Sequence, residues 1–537
     1  MTEKPIVLMP EDVQRIMGKD AQRNNILAAK MVAEVVKTTL GPKGMDKMLV
    51  SPTNEIVITN DGVTILEEMQ IEHPAAKMIV EVSKTQDSEV GDGTTSVVML
   101  AGKLLENAEK LLDKKIHPTV ITKGYKLAAE KAQEILKEIS LRITSEDEDV
   151  LKQIAMTSMT GKGAEDSKEK FADIIVRAVR QVFDNGNYNL NDIKIEKSKG
   201  DGINNTELLS GIVLDKEKIS VDMPSVIMEA KIALLDFPLE LKNPEIDTKI
   251  SISSPEQLQS FIEQEERTIK EMVEKVKMSG ANVIFCQKGI DDFAQYLLSK
   301  EKIYACRRVA KSDIEKISKA TGGKIVSNLS ELGPLELGTS QIVEEVKHGN
   351  DVLTYIKGCQ NPKALTILIH GGTEHVIDET ERAIKDGLGV VISSLKTGLV
   401  VPGGGAVEIE LAKRLRNFGQ TLSGREQLAV EEFASALEFI PITLAENAGM
   451  DPIDVLTELK SRHDAGDKNI GLNLLTNKIE NVLEARILEP WKVKSQAISS
   501  ASEVAVMILR IDDVIASSGG KGGMKGMGGM PGYGGME

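Results

Sequence analysis

Along residues 20–39 the apolar positions fall at Ile26, Ala29, Val32, Ala33 and Val36, a spacing of three and four that gathers them on one helical face, and Gly41-Pro42 stops the helix. The run Glu-Ile-Val-Ile-Thr at 55–59 predicts a short strand leading into a turn at Asn60-Asp61-Gly62. From Thr94 to Leu112 the helical period returns directly behind Gly91-Asp92-Gly93, so the first third of the chain is expected to be mainly helical. Between about residues 190 and 370 the pattern changes. Lys231–Phe237, Asn282–Cys286, Lys324–Val326 and Ala364–His370 are short apolar runs of buried-strand type, with helical segments between them, which predicts an α/β middle region.

After the first of these strands, Ile246, Ile250 and Ile252 are spaced through a polar stretch and are expected to be exposed. A long helix follows from Pro255 to Met278, with Leu258, Phe261, Ile262, Ile269, Met272, Val273 and Val276 on one stripe that reads as packed core. From Thr373 the helical pattern resumes, passes an expected turn at Asp386-Gly387, and runs on to Val401. The segment Gly405–Leu444 repeats the character of the first third. The simplest topology is nested: both ends of the chain share one mostly helical domain, the middle forms an α/β domain, and two connecting segments cross between them. Gly519–Glu537, glycine with scattered Met, has nothing with which to repay ordering and is expected to be disordered.

Composition narrows the function classes. A chain of 537 residues is too long for one core. Aromatic residues make up only 3%, so the cores must be aliphatic. The net charge of −16 argues against nucleic acid or an anionic membrane as the main partner. Three cysteines, Cys286, Cys306 and Cys359, have no C-x-x-C spacing, which fits a reducing compartment and excludes a disulfide framework. His370 and His375, five apart across a Gly-Gly pair, do not share a helical face and make a poor metal site. With no signal-like start and no apolar run of spanning length, a cytoplasmic protein is expected.

The candidate chemistry lies in three Asp-Gly pairs, at Asp61, Asp92 and Asp386, and in glycine-rich loops at Gly41-Pro42-Lys43-Gly44 and Pro402-Gly403-Gly404-Gly405. Glycine lets a backbone approach phosphate oxygens, and Asp is a hard oxygen ligand for Mg²⁺. Thr94, Thr95 and Ser96 offer hydroxyls and free N–H groups at a helix start, a natural phosphate site. The nearest approach to a P-loop, Gly419 to Gly424-Arg425-Glu426, lacks its Lys and Ser/Thr. The set suggests a nucleotide hydrolase assembled from both ends of the chain.

Taken in order, Leu40-Gly-Pro-Lys-Gly-Met-Asp-Lys-Met-Leu49, Asn60-Asp-Gly-Val-Thr-Ile-Leu66, Gly91-Asp-Gly-Thr-Thr95, Pro402-Gly-Gly-Gly-Ala406 and Ile508-Leu-Arg-Ile-Asp-Asp513 closely resemble the group II chaperonins over essentially the whole chain. The resemblance implies an ATP-driven folding machine of two back-to-back rings, eight or nine identical or paralogous subunits each, with non-native proteins as clients. It implies an equatorial ATP-binding domain at 1–143 and 403–518, and an intermediate domain at 144–213 and 367–402. The apical domain would span 214–366 and carry a lid protrusion at about 243–278, with Ile246, Ile250, Leu258 and Phe261 as candidate lid or client contacts.

By the same resemblance Asp92 ligates Mg²⁺, and Gly41, Pro42, Gly93, Thr94, Thr95, Ser96 and Gly404 surround the ATP phosphates and ribose. Thr160, Gly161 and Lys162 form a nucleotide-sensing loop, and Glu489 and Lys494, which as bare residues also read as surface charges, lie at the nucleoside end. Asp386 activates the attacking water, with Asp61 assisting. Lys385-Asp386-Gly387 stands where the family more often has His-Asp-Ala. A phosphotransferase and an ATP-independent holdase are the competing readings; the first needs a separate substrate pocket, and the second leaves Gly91–Thr95 and Asp386 without purpose.

Overall fold

A computed structural model describes residues 13–517 apart from 53, 164, 184–187, 201, 242–254, 349–350 and 361. The expected tail and the segment with Ile246, Ile250 and Ile252 lie outside the described residues.

Both ends of the chain build one helical body. The helices Gly18–Lys37, Pro74–Val90, Thr94–Asp113 and Pro118–Ile139 pack with Ala406–Thr421, Glu426–Leu437, Phe439–Asn447, Pro452–Asp464 and Trp491–Leu509. One continuous core, from Ile26 and Val36 through Val98 and Leu104 to Leu411, Phe433 and Ala501, holds them together. Its few aromatics are placed with care: Tyr125 meets Phe433 edge-on at 5.7 Å and donates its hydroxyl to the Leu104 carbonyl at 2.7 Å. Two features of this body escaped the sequence pattern. Val13–Met17 pairs antiparallel with Asp513–Ser517, and Lys47–Val50 pairs with the expected strand, Ile56–Thr59.

A second body forms around Leu151, Phe171, Ile175, Ile369, Ile384 and Val391. Its three-stranded sheet places Leu365–Gly371 between Ile193–Lys199 and Glu207–Leu209, backed by Glu148–Met159, Lys168–Gln181 and Glu374–Thr397. The last of these is one unbroken helix of 24 residues. Asp386-Gly387 is therefore not a turn but lies at mid-helix. Glycine there saves room: a Cβ on Gly387 would come 2.6 Å from Ile175 Cδ1.

The middle of the chain forms a seven-stranded mixed sheet running Tyr304–Cys306, Val283–Cys286, Val226–Leu235, Gly338–His348, Asp351–Lys357 and Gly211–Leu214, with Ile325–Val326 beside Val226–Leu235. Both faces are covered, which is why its strands read as unbroken apolar runs: Ile232, Leu234 and Phe285 enter one core, and Ala233, Leu235 and Ile284 the other. The long helix Pro255–Ser279 only partly meets expectation. Ile269, Val273 and Val276 are buried, but Phe261 and Ile262 stand 39% and 46% exposed, because only the C-terminal half of the helix joins the core. The side chain of Leu258 is outside the described set. The result is a multidomain α and α/β protein, and among the described residues no helix is long and apolar enough to cross a membrane.

Candidate functional site

The Pro74–Val90 helix ends on Gly91 in left-handed conformation (φ 76°), and Gly93 (φ 81°) opens the Thr94–Asp113 helix. A side chain at 93 would put Cβ 2.8 Å from Val493 Cγ1, so only glycine fits. Among the described residues no side chain caps this helix start, which leaves N–H donors at the end where Thr94, Thr95 and Ser96 line a cleft. Asp92 sits at the mouth; its Oδ1 accepts the Gly93 N–H at 2.8 Å.

Asp61 does cap a helix: its Oδ2 accepts from the Thr64 N–H at 3.0 Å and the Thr64 hydroxyl at 2.7 Å. Its other oxygen accepts from the Thr94 hydroxyl at 3.1 Å, tying the two helix starts together on the cleft wall. Opposite lies the loop Thr160-Gly161-Lys162. Gly161 (φ 83°) rests so closely on Pro42 that a Cβ would be 2.6 Å from Pro42 Cα, and its carbonyl accepts from Asn60 Nδ2 at 2.8 Å. The Thr160 hydroxyl is already engaged, donating to the Met156 carbonyl at 2.6 Å. Lys162 donates to Asp386 Oδ2 and lies 3.7 Å from Asp92 Oδ1.

One lysine thus faces three carboxylates. Burial pushes Asp386 up to about 8, with Asp92 and Asp61 pushing the same way and Lys162 opposing. Burial works against the charge on Lys162 too, but Asp386, Asp92 and Asp61 outweigh it and hold the ammonium well above its usual range. Lys385, in the departure from the family pattern, turns away and pairs with Glu381 at 2.7 Å.

At the far end Gly404 (φ 59°) receives the Leu472 N–H on its carbonyl at 2.8 Å. Lys494 bridges Glu408 at 2.8 Å and Glu489 at 2.7 Å. Surface charges they are not. Burial disfavours the ionised form of Glu489 and raises its pKa, against the pull of Lys494. Between the ends the wall is apolar, from Ile440, Leu444, Leu472, Leu474, Val493 and Ala497. The sequence reading missed this wall; its one local signal was the apolar run Ile470–Leu474.

The cleft therefore gathers Gly41, Pro42, Asp61, Asp92, Gly93, Thr94, Thr95, Ser96, Thr160, Gly161, Lys162, Gly404, Glu489 and Lys494. Asp386 stands behind Lys162 and is not itself part of the lining. Among the described residues no three His, Cys, Asp or Glu side chains form a metal cage.

Fold and cleft define a multidomain protein in which one cleft, donor-rich at one end with an apolar wall beyond it, is shared between two bodies. The model of the TCP-1/cpn60 chaperonin family matches residues 32–518. The thermosome subunit of Methanopyrus kandleri is 55% identical over 518 residues, 96% of this chain and 95% of that protein. The thermosome subunits beta and alpha of Archaeoglobus fulgidus are 55% and 54% identical, over 97% and 96% of this chain and 98% and 95% of their own lengths. The chain belongs to the TCP-1/cpn60 chaperonin family, and it is an ATP-dependent chaperonin.

Proposed function

We propose that the chain hydrolyses Mg-ATP as a subunit of a cytoplasmic double ring, eight or nine identical or paralogous copies per ring, and uses the cycle to enclose non-native proteins. The observation that carries this reading is the seam at the cleft: Asp61 and Asp92 belong to the helical body, while Lys162 and Asp386 come from the second body. Hydrolysis that needs all four is by construction sensitive to how the two bodies sit. The division into equatorial (1–143, 403–518), intermediate (144–213, 367–402) and apical (214–366) domains is supported by the separate cores of the three bodies.

The residues fit the substrate. Thr94, Thr95 and Ser96 donate to phosphate oxygens, Gly41, Pro42 and Gly404 let backbone come close, and the apolar wall accepts the base, with Glu489 and Lys494 beside it. Mg²⁺ bound at Asp92 would neutralise charge on the phosphates. Lys162 reaches from Asp386 toward a phosphate while its charge still favours ionised Asp386, and that carboxylate orients water and takes its proton, with Asp61 fixing the Thr94 side of the site. The exposed Phe261 and Ile262, on the helix that follows the undescribed segment, suit lid or client contact.

Light scattering joined to phosphate release tests the reading. Wild type and Asp386→Ala should both form particles of roughly a megadalton, as sixteen to eighteen copies require. Turnover should fall in the variant by a factor on the order of 10² or more. A monomer, or full turnover in the variant, refutes it.

A further inference from the structure

Two carboxamides outside the cleft lining hold its phosphate-facing loops. Gln86, fully buried in the Pro74–Val90 helix, directs Nε2 at two backbone carbonyls, Asp92 at 2.9 Å and Val493 at 3.2 Å. Asn447, half-buried at the end of the Phe439–Asn447 helix, directs Nδ2 at the Lys37 carbonyl at 3.1 Å and the Leu40 carbonyl at 2.9 Å. In both cases the two partners are oxygens that only accept, so the NH₂ edge must face them. Each tie joins segments about four hundred residues apart. Gln86 fastens the Asp92 loop to the start of the helix that carries Lys494, and Asn447 fastens the loop leading into Gly41-Pro42 to the C-terminal half of the chain.

The arrangement at Gln86 has a cost. Its Oε1 is buried and has no hydrogen-bond partner among the described residues. An orphaned buried acceptor is unfavourable, and an apolar side chain of the same length would relieve it. What that replacement would lose is the pair of bonds on the Asp92 and Val493 carbonyls. The loops need such bonds: Gly41, Gly91 and Gly93 all have positive φ, and glycine-rich backbone gives up the most freedom on ordering.

We propose that Gln86 and Asn447 are positioning residues that preorganise the two phosphate-facing loops for nucleotide, each by a double donation from one half of the chain. The inference rests on the nucleotide reading of the cleft. Ordering of the loops is then complete before binding, and its entropy is not charged against affinity.

Gln86→Met and Asn447→Leu remove the donors at nearly constant shape; Gln86→Glu and Asn447→Asp set an acceptor against two carbonyl oxygens. In assembled, nucleotide-free particles, exchange of the hydrogen-bonded loop amides should rise about tenfold, at Gly91 and Val97 in the Gln86 variants and at Gly44 and Met45 in the Asn447 variants. KM for Mg-ATP should rise roughly tenfold, with kcat at saturation changed less than about twofold. Lower thermal stability with exchange at these loops and KM both at wild-type values would make the residues merely structural and overturn the proposal. Faster exchange in a protein whose wild type binds no ATP would leave the ties standing and overturn the nucleotide reading. Should a Gln86 variant not assemble, the Asn447 pair, less buried, carries the same test.

Discussion

Asp386 shows how burial sets the behaviour of a single carboxyl. A carboxyl near 8 in the fold and at 3.8 when solvated keeps, between those values, a proton that the unfolded chain has lost. Stability from this group is therefore present at acid pH and is lost as pH rises toward 8. Asp386→Asn, which cannot ionise, should leave the thermal midpoint near its wild-type value at pH 4 and raise it at pH 8. Lys162 acts in the other direction, lowering the Asp386 pKa through its positive charge. Lys162→Met should move the acid limb of the phosphate-release profile to higher pH, and an unmoved limb would mean that Asp386 is not the group being titrated. Asp61 joins two helix starts, since one oxygen caps its own helix while the other accepts from Thr94 in the cleft.

The Glu374–Thr397 helix makes the corresponding point about elements. It carries glycines at 387 and 389, and each costs about 1 kcal/mol relative to Ala in a helix interior. The two are kept for different reasons. At Gly389 a Cβ would lie 3.0 Å from Gly91 Cα and 3.0 Å from the Val90 carbonyl oxygen, so backbone meets backbone where the helix rests against the Asp92 loop. At Gly387 the obstacle is the terminal methyl of Ile175, which can turn aside. Gly387→Ala should thus be neutral or stabilising by up to about 1 kcal/mol, the helix-propensity gain. Gly389→Ala should destabilise by about 1–3 kcal/mol and slow turnover, because the helix must lift off the loop. Thermal unfolding of both variants, read beside phosphate release, separates the two cases.

Over the whole molecule, function depends on bodies that are separately packed yet share one cleft. The Pro255–Ser279 helix is anchored through Ile269, Val273 and Val276, while Phe261 and Ile262 remain exposed on its outer part. Replacing the latter two with Ser should change stability by no more than about 0.5 kcal/mol, as expected for surface positions. The same change should reduce capture of an unfolded client and leave ATP turnover intact. Loss of turnover would place the two residues in the catalytic cycle rather than at a contact surface.

The helices of the first third were legible because an amphipathic stripe such as Ile26–Val36 is local, and the middle strands were legible because a sheet covered on both faces shows as unbroken apolar runs. The donor-rich side of the cleft was legible for a similar reason: Gly91–Ser96 sets its glycines, hydroxyls and helix start in six adjacent residues. The sequence by itself therefore determined the kinds of element, their nested order and one end of the site. Tertiary structure alone decided what no local window contains. Asp386-Gly387 reads as a turn until the helix around it is seen packed on Ile175, and two residues on, Gly389 lies against Gly91, a contact that makes that glycine worth its helical cost. The apolar wall draws Ile440 and Leu444, Leu472, and Val493 and Ala497 from three separate elements, with Leu474 from a turn, and the Lys162–Asp386 contact spans 224 positions. Short-range periodicity reports which face of an element is buried; which faces meet is settled by packing, and packing is where charge, burial and strain take their values.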